Sequence, residues 1–360
     1  MKPLRFKSVR IGTIWGSEEW ILSAMEGRET VCISQAEDSE VEDDCGSTLS
    51  SLVAKYGEAL LGKRVCGKFG TRFPLLVKYI NSRQQLSVQV HPNDDMADRK
   101  GLPNGKTEMW YVLEAEKDTE LLIGFSKRFS KKEFAQVVSN SIQEKDVLKG
   151  EKTLEDVLNR FSPQRGDWYF IPAGTVHSIG AGCRILEIQQ PSDTTYRLYD
   201  FNRVDIEGKR RHLDLEDALD AIDFEETQEN YVEVQRNVFD KPHGNMAGEQ
   251  SGGVKIIPLA RCAHFVSNFI NFDSSCNSLH SNNLDALHVD NTCWDTFTLI
   301  VCTGGSGTLF YKEFGSGCIR QSQTLVDGDL FLIPAELGAV DILSTGGLQL
   351  VETHLELPKP

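Results

Sequence analysis

The sequence predicts a mainly β chain, built as two β-barrels with a short helical insertion in the first. Three observations carry this expectation. Apolar and polar residues alternate through long stretches, which is the period of half-buried strands. Gly166 to His177 reads as a strand, a Pro/Gly turn and a returning strand. Gly166-Asp167 followed by Phe170-Ile171-Pro172-Ala173 recurs as Gly328-Asp329 followed by Leu332-Ile333-Pro334-Ala335, 162 residues on in both blocks (328 − 166 and 334 − 172), and an internal duplication explains the repeat.

Along the chain, the first forty residues read as strands in RIGTIWG, EWILSA and ETVCISQ, and an acidic loop follows at Glu37 to Asp44. STLSSLVAKYGEALLGK has helical spacing, with Ser47 or Thr48 as N-cap. Strands are expected to dominate from Pro74 to Phe125. Two short amphipathic helices, SKKEFAQVVS and KTLEDVLNRF, make up the insertion at residues 127–160. Strands resume from Asp167 to Phe201, LDLEDALDAI supplies a connecting helix, and a second β region begins near Gly253. The expected domains are therefore 1–225, the catalytic barrel, and 226–360, a degenerate barrel. In the second copy Ala339 stands where His177 stands in the first, so this barrel is expected to hold no metal. His264, His280 and His288 fall in loop-like sequence and are expected at the surface.

With 360 residues, 40% hydrophobic and 25% charged, the composition is that of a soluble globular protein of two or three domains. MKPLRFKSVRIGTIWG has no apolar run of signal-peptide length, and no later stretch approaches a membrane span. A cytoplasmic protein with no membrane partner is expected. Nine cysteines without a CxxC pair fit reduced thiols better than a disulfide framework or a thiolate zinc site. The net charge of −15 opposes a general nucleic-acid surface, because a phosphate backbone would be repelled. A small anionic substrate needs only a few local cations, and Lys106, Arg197 and Arg203 lie near the candidate site. Taken singly, each would be a solvated surface charge.

The candidate site starts from LSVQVHP, where Gln89 and His91 share one strand face while Val88 and Val90 pack the other way. Glu108 in GKTEMWYVL and His177 in GDWYFIPAGTVHSIG complete a ligand set. Two imidazoles and a carboxylate suit a borderline divalent ion such as Zn²⁺, with the amide oxygen as a weaker fourth ligand. The alternative is a pair of ordinary strand histidines with satisfied hydrogen bonds. GDWYFIPAGTVH tips the balance, because it matches GxxxxxPxGxxH, the second signature of the cupin (jelly-roll) barrel, at all four fixed positions. Pro fixes φ and Gly supplies the reversal that aims the histidine.

Read together, PLLVKYINSRQQLSVQVHPND, GKTEMWYVLEA, PAGTVHSIGAG and LEIQQPSDTTYRLYDFNR resemble the zinc-dependent mannose-6-phosphate isomerases in their short bacterial form, within the cupin superfamily. The resemblance covers about Pro74 to Arg203. It implies a bicupin fold and reversible conversion of D-mannose 6-phosphate to D-fructose 6-phosphate through a cis-enediol. It also implies one zinc per chain on Gln89, His91, Glu108 and His177, in a monomer or homodimer. Lys106, Glu187, Asp193, Arg197 and Arg203 would line the pocket. Glu187 is the first candidate base and Asp193 the second, while Arg197 would stabilise the enediolate or hold the phosphate. Lys106, Arg203 and Ser87 are assigned to substrate binding. Two rivals share the barrel: a non-haem iron oxygenase using the histidines and carboxylate, and a non-catalytic sugar-binding cupin.

Overall fold

A computed structural model of the 360-residue chain describes residues 1–34, 44–143, 152–204, 207–225, 253–272, 286–312 and 320–357. The strands β1 (Arg5–Lys7), β2 (Val9–Thr13), β3 (Gly16–Leu22) and β4 (Val31–Ile33) lead into α1 (Leu49–Tyr56), α2 (Glu58–Leu61) and α3 (Lys63–Phe69). Next come β5 (Leu76–Ser82), β6 (Val88–Val90), α4 (Asp94–Lys100), β7 (Glu108–Ala115) and β8 (Leu121–Phe125). α5 (Lys131–Ile142) and α6 (Leu154–Val157) are followed by β9 (Leu158–Phe161), β10 (Trp168–Ile171), β11 (His177–Ile179), β12 (Cys183–Gln189), β13 (Tyr196–Tyr199) and α7 (Leu215–Ala221). The C-terminal region holds β14 (Val254–Arg261), β15 (Val266–Phe272), β16 (Ala286–Asp290), β17 (Thr298–Lys312), β18 (Arg320–Val326), β19 (Leu330–Ile333) and β20 (Ala339–His354). The chain is mainly β, as expected.

Two compact units form, one from Arg10–Trp20 and Leu75–Asn237, the other from Met1–Val9, Ile21–Pro74 and Val238–Pro360. The first contains two antiparallel sheets, ordered β10-β7-β12-β5-β3-β2 and β13-β6-β11-β8-β9. Trp110, Val112, Ile80 and Ile185 from one sheet and Leu121, Ile123 and Ile179 from the other share one buried cluster. Residues on facing strand surfaces thus exclude water from both sheets at once.

The helices begin where side chains satisfy their first amides. Thr48 caps α1, its Oγ1 accepting the Ser51 N–H at 3.2 Å. Ser130 and Glu133 form a reciprocal capping box at the start of α5. KTLEDVLNRF departs from its expected helix. A Thr153–Asp156 box starts α6, but the helix ends after Val157 and Leu158–Phe161 becomes β9 on the edge of β8. Ladder bonds to a sheet edge outweigh the weak propensity of a single turn. One helix was not expected: α4 interrupts the strand region, with Asn93 accepting the Met96 N–H at 2.9 Å and Gly101 closing it in the left-handed region at φ 69°. Asp94 and Asp95 fall in its first turn and Arg99 and Lys100 in its last, opposite in sign to the helix dipole at each end.

The sequence repeat is a repeat of hydrogen bonding. Gly166 and Gly328 adopt φ 93° and 90° in matching turns. Gly166 donates to Val112 and receives Val112 back through Asp167, and Gly328 and Asp329 do the same with Cys302. In the second unit β19, β17, β20, β15 and β14 neighbour one another in the order that β10, β7, β12, β5 and β3 follow in the first. Register then aligns Ile171, Glu108 and Gln189 with Ile333, Thr298 and His354. Ala339 opens β20 and is exposed.

His288 differs from its expected loop setting: it stands in β16, exposed and paired with Asp341 at 2.9 Å. His264 lies in a bend and is half-buried, while His280 and most of the acidic loop fall outside the described residues. The seven described cysteines are free thiols. Among the described residues no helix is long and apolar enough to cross a membrane.

Gly180, between β11 and β12, has no room for a side chain, because a Cβ would stand 2.2 Å from the Glu120 carbonyl oxygen. Its own carbonyl accepts Ser82 Oγ at 2.7 Å, which ties the turn to β5. Gly180→Ala is expected to destabilise the protein by about 1–3 kcal/mol, measured by equilibrium chemical denaturation.

Candidate metal centre and its cavity

Strand register brings the proposed ligands together from both sheets. On one sheet Gln89 of β6 lies directly between His177 of β11 and Arg197 of β13. On the other, Glu187 of β12 lies between Trp110 of β7 and Lys78 of β5, one row from the Glu108–Gln189 pair. His91 follows the last residue of β6. His91, Glu108 and His177 each offer a ligand atom, all within 4.8 Å of one another, and all three residues are buried.

Each imidazole is oriented from behind. His91 Nδ1–H donates to the Thr194 carbonyl at 2.9 Å and His177 Nδ1–H to the Thr175 carbonyl at 2.9 Å. These bonds leave both Nε2 atoms as the inward-facing nitrogens. Burial, reinforced by Lys106 and His177, pushes the His91 pKa well below the ordinary imidazole range. Burial also brings His177 down to about 4, with Lys106 adding to it against the Thr175 hydrogen bond. Both rings are neutral at pH 7 and present lone pairs, the form a metal requires.

Glu108 Oε1 accepts the Trp110 indole N–H at 3.0 Å and lies 3.6 Å from His177 Nε2. Its Oε2 is 2.6 Å from Lys106 Nζ and 3.5 Å from His91 Nε2, yet this buried atom has no aligned hydrogen-bond donor. A carboxylate with one oxygen 3.5 Å from His91 Nε2 and the other 3.6 Å from His177 Nε2 suits a cation at the centre of the group. Gln89 meets the group through its amide nitrogen, Nε2 lying 3.2 Å from His177 Nε2, while its Oε1, the atom expected as a ligand, accepts Ser87 Oγ at 3.2 Å.

Gln89 and Glu108 also line a cavity, with Trp15, Glu18, Lys78, Ser87, Lys106, Trp110, Glu187, Thr195, Arg197 and Arg211. Three carboxylates face four cations, one positive charge in excess inside a chain of net charge −15. Glu187 is 1% exposed, with Oε1 3.1 Å from Lys78 Nζ and 3.6 Å from Lys106 Nζ. Burial and the neighbouring Glu108 raise its pKa, only partly offset by the two lysines. Burial opposes the charge of Lys78, but Glu18, Glu187 and Glu108 outweigh it and hold the ammonium protonated. Burial likewise opposes the charge of Glu18, but Lys78 and the Trp20 indole N–H, 2.7 Å away, prevail and lower its pKa.

Of the residues singled out from sequence, Gln89, Glu108, Lys106, Ser87, Glu187 and Arg197 line the cavity, while His91 and His177 converge on Glu108 beside it. Asp193 is exposed and is not among the lining residues. Arg203 is not among them either: its guanidinium donates to the carbonyls of Asp200 and Gln85 and to the Asp200 carboxylate. Glu18, Lys78, Trp110 and Arg211 were not singled out. Lys78 could have been found, because a lysine inside the apolar run PLLVKYI must be paired or functional. Arg211 sits in GKRRH and reads as solvated charge.

Two measurements follow from this geometry. His91→Ala and Glu108→Gln should each lower divalent-metal affinity at least about tenfold by titration calorimetry, since each removes a primary ligand. The metal-free protein should lose stability as pH falls from about 6.5 to about 4, because over that interval the unfolded chain takes up a proton that folded His177 refuses. The loss is about 3 kcal/mol for this residue, and His177→Gln should flatten that part of the denaturation-midpoint curve.

Comparison with known proteins agrees with this geometry. Residues 31–132 match the family described as Phosphomannose isomerase type I, catalytic domain. Mannose-6-phosphate isomerase ManA of Bacillus subtilis is 41% identical over 164 residues, which is 45% of this chain and 48% of the relative. The mannose-6-phosphate isomerase of Streptococcus mutans is 39% identical over 150 residues, 42% of this chain and 44% of the relative. The matched region thus spans about half the length of these curated relatives. The crystal structure of the mannose 6-phosphate isomerase from Bacillus subtilis shares the fold with a TM-score of 0.74 and 24% identity, over 99% of this chain and 100% of that one. A mutant of phosphomannose isomerase from Salmonella typhimurium gives 0.69 and 16%, over 99% and 100%. Residues 31–132 thus carry the sequence of a type I phosphomannose isomerase catalytic domain, and the chain has the fold of those solved enzymes along its length.

Proposed function

We propose that the chain interconverts D-mannose 6-phosphate and D-fructose 6-phosphate, with zinc as its metal. The observation that carries this reading is the convergence of His91, Glu108 and His177 beside a cavity with excess positive charge and a buried carboxylate, Glu187. His91, Glu108, His177 and Gln89 would hold the ion, one per chain. When bound, zinc supplies Lewis acidity at the carbonyl and hydroxyl oxygens where negative charge develops.

The chain's own residues then handle the proton. An aldose–ketose isomerase removes a proton from the carbon next to the carbonyl, passes through a cis-enediol and returns the proton to the neighbouring carbon. Glu187 is the base. Its raised pKa makes it a better acceptor than an exposed carboxylate, and its buried Oε1, 3.1 Å from Lys78 Nζ and 3.6 Å from Lys106 Nζ, has no aligned donor of its own. Asp193 is the weaker candidate because it is exposed and outside the cavity lining. Lys106, Ser87 and Arg197 are placed to bind sugar hydroxyls and charged oxygen. A non-haem iron oxygenase would use the same three ligands but has no need of four cations around them. A sugar-binding protein without activity would have no need of a buried, basic Glu187.

The test is a coupled assay of fructose 6-phosphate formed from mannose 6-phosphate. Turnover should vanish on chelation and return with zinc. Glu187→Gln should lower kcat by about 10²- to 10⁴-fold, and Asp193→Asn should cost far less. Metal-replete protein without turnover would sink the assignment, and oxygen consumption with ferrous iron would be measured next.

A further inference from the structure

Arg197 and Arg211 line the cavity, whereas Arg203, which shares Asp200 with Arg211, does not. Arg203 is consumed by the protein. Its Nε donates to the Asp200 carbonyl at 3.1 Å, its Nη1 to the Gln85 carbonyl at 2.5 Å, and its Nη2 to the Asp200 carboxylate. Phe201 and Asn202, both left-handed at φ 52° and 51°, fold the chain back so that Arg203 meets Asp200. Two consecutive non-glycine residues in that region are costly, so the turn is held by what it brings together.

Arg211 uses only one edge of its fork. Nε and Nη2 pair with the two oxygens of Asp200, while Nη1 has no protein acceptor among the described residues. Arg197 lines the same cavity. Its Nη1 reaches the His212 carbonyl at 3.3 Å, and its Nε is buried without a hydrogen-bond partner. Burial and the nearby charge of Arg211 disfavour its protonated form and outweigh Asp200 and Asp214, the latter 4.0 Å from its Nη1. Like charges converging on one cavity, with donors left over, are poised for an anion.

We infer that Arg211, together with Arg197, forms the phosphate-binding end of the cavity, and that Asp200 is the residue that aims Arg211 while Arg203 serves as a strut. This rests on the isomerase reading for the identity of the substrate, but the anion site itself does not need turnover to be tested. A phosphate dianion accepts the free Arg211 edge and the orphaned Arg197 donor, and it relieves the repulsion between the two guanidinium groups.

The experiment compares wild type, R211Q and the D200N/R211Q double variant. Inorganic phosphate binding is measured by calorimetry, and KM and kcat for mannose 6-phosphate by the coupled assay. R211Q should weaken inorganic phosphate about 10- to 100-fold and raise KM comparably, with kcat changed much less. Because Arg211 also neutralises Asp200, R211Q could lose stability, which thermal unfolding would reveal. The double variant removes the unpaired carboxylate, so it should recover the melting temperature and keep the phosphate defect. Wild-type phosphate affinity in R211Q, or affinity restored in the double variant, would overturn the assignment, because bracing Asp200 would then be the whole role of Arg211. If wild type binds phosphate but does not turn over mannose 6-phosphate, the isomerase reading fails while the R211Q comparison still decides the anion site.

Discussion

Taking charge out of water is the constraint around which the site-bearing unit is organised. Glu108 and Glu187 are 1% exposed, Lys106 4% and Lys78 5%, between sheets that share a buried cluster dominated by isoleucine, leucine and tryptophan. An unpaired ion in that setting costs several kcal/mol, so acids and bases must alternate through the group. Glu18, Lys78, Glu187, Lys106 and Glu108 form such a chain, each within 3.6 Å of the next. The geometry a proton-transfer group needs is therefore the geometry that lets these residues be buried at all. On the proposed isomerase reading this is preorganisation, the feature that makes electrostatic catalysis effective.

Around this core, a polar frame sets the strand that carries Lys106 and Glu108. Asp94 Oδ1, in the first turn of α4, accepts the Gly105 N–H at 2.8 Å and the Gln190 amide at 2.9 Å. Gln190 Oε1 then accepts the Thr107 N–H at 2.9 Å. A helix, a loop and the end of β12 thus fix the residue between the lysine and the ligand carboxylate. On the histidines the same work is done by two backbone carbonyls. In each case the group that meets solute is held by one that does not.

The strand pattern and the converging ligands were legible because period-two alternation and a Pro/Gly turn act locally. The turn at Pro172–Gly174 aims His177 by its own chemistry, and Gln89 and His91 share a face by covalent geometry alone. Register could not be read in that way: that Lys78 lies opposite Glu187, and Arg197 opposite Gln89, depends on which strands pair. β9 was misread for the same reason, its edge position being a tertiary fact. α4 was missed despite a cap and flanking charges, because only Met96 and Ala97 of its seven residues are buried and its apolar signal is short. Arg203 and Arg211 are separated by one carboxylate, Asp200, and nothing in their sequence shows which of them that carboxylate leaves with a donor to spare.

The duplicated sheet order has a consequence for stoichiometry. In the second unit Glu352 occupies the row of Glu187, with Asn268 where Lys78 stands and His354 where Gln189 stands. Asn268 donates to one Glu352 oxygen at 2.7 Å and His354 Nδ1 meets the other at 2.7 Å. Thr298, in the row of Glu108, brings no carboxylate. The second copy keeps the buried acid but quenches it within its own sheet, with both oxygens occupied and, among the described residues, no lysine paired with them. The same sheet order thus frames an acid without an aligned donor in one unit and a neutralised one in the other, and among the described residues His91, Glu108 and His177 are the one group of such side chains able to share an ion.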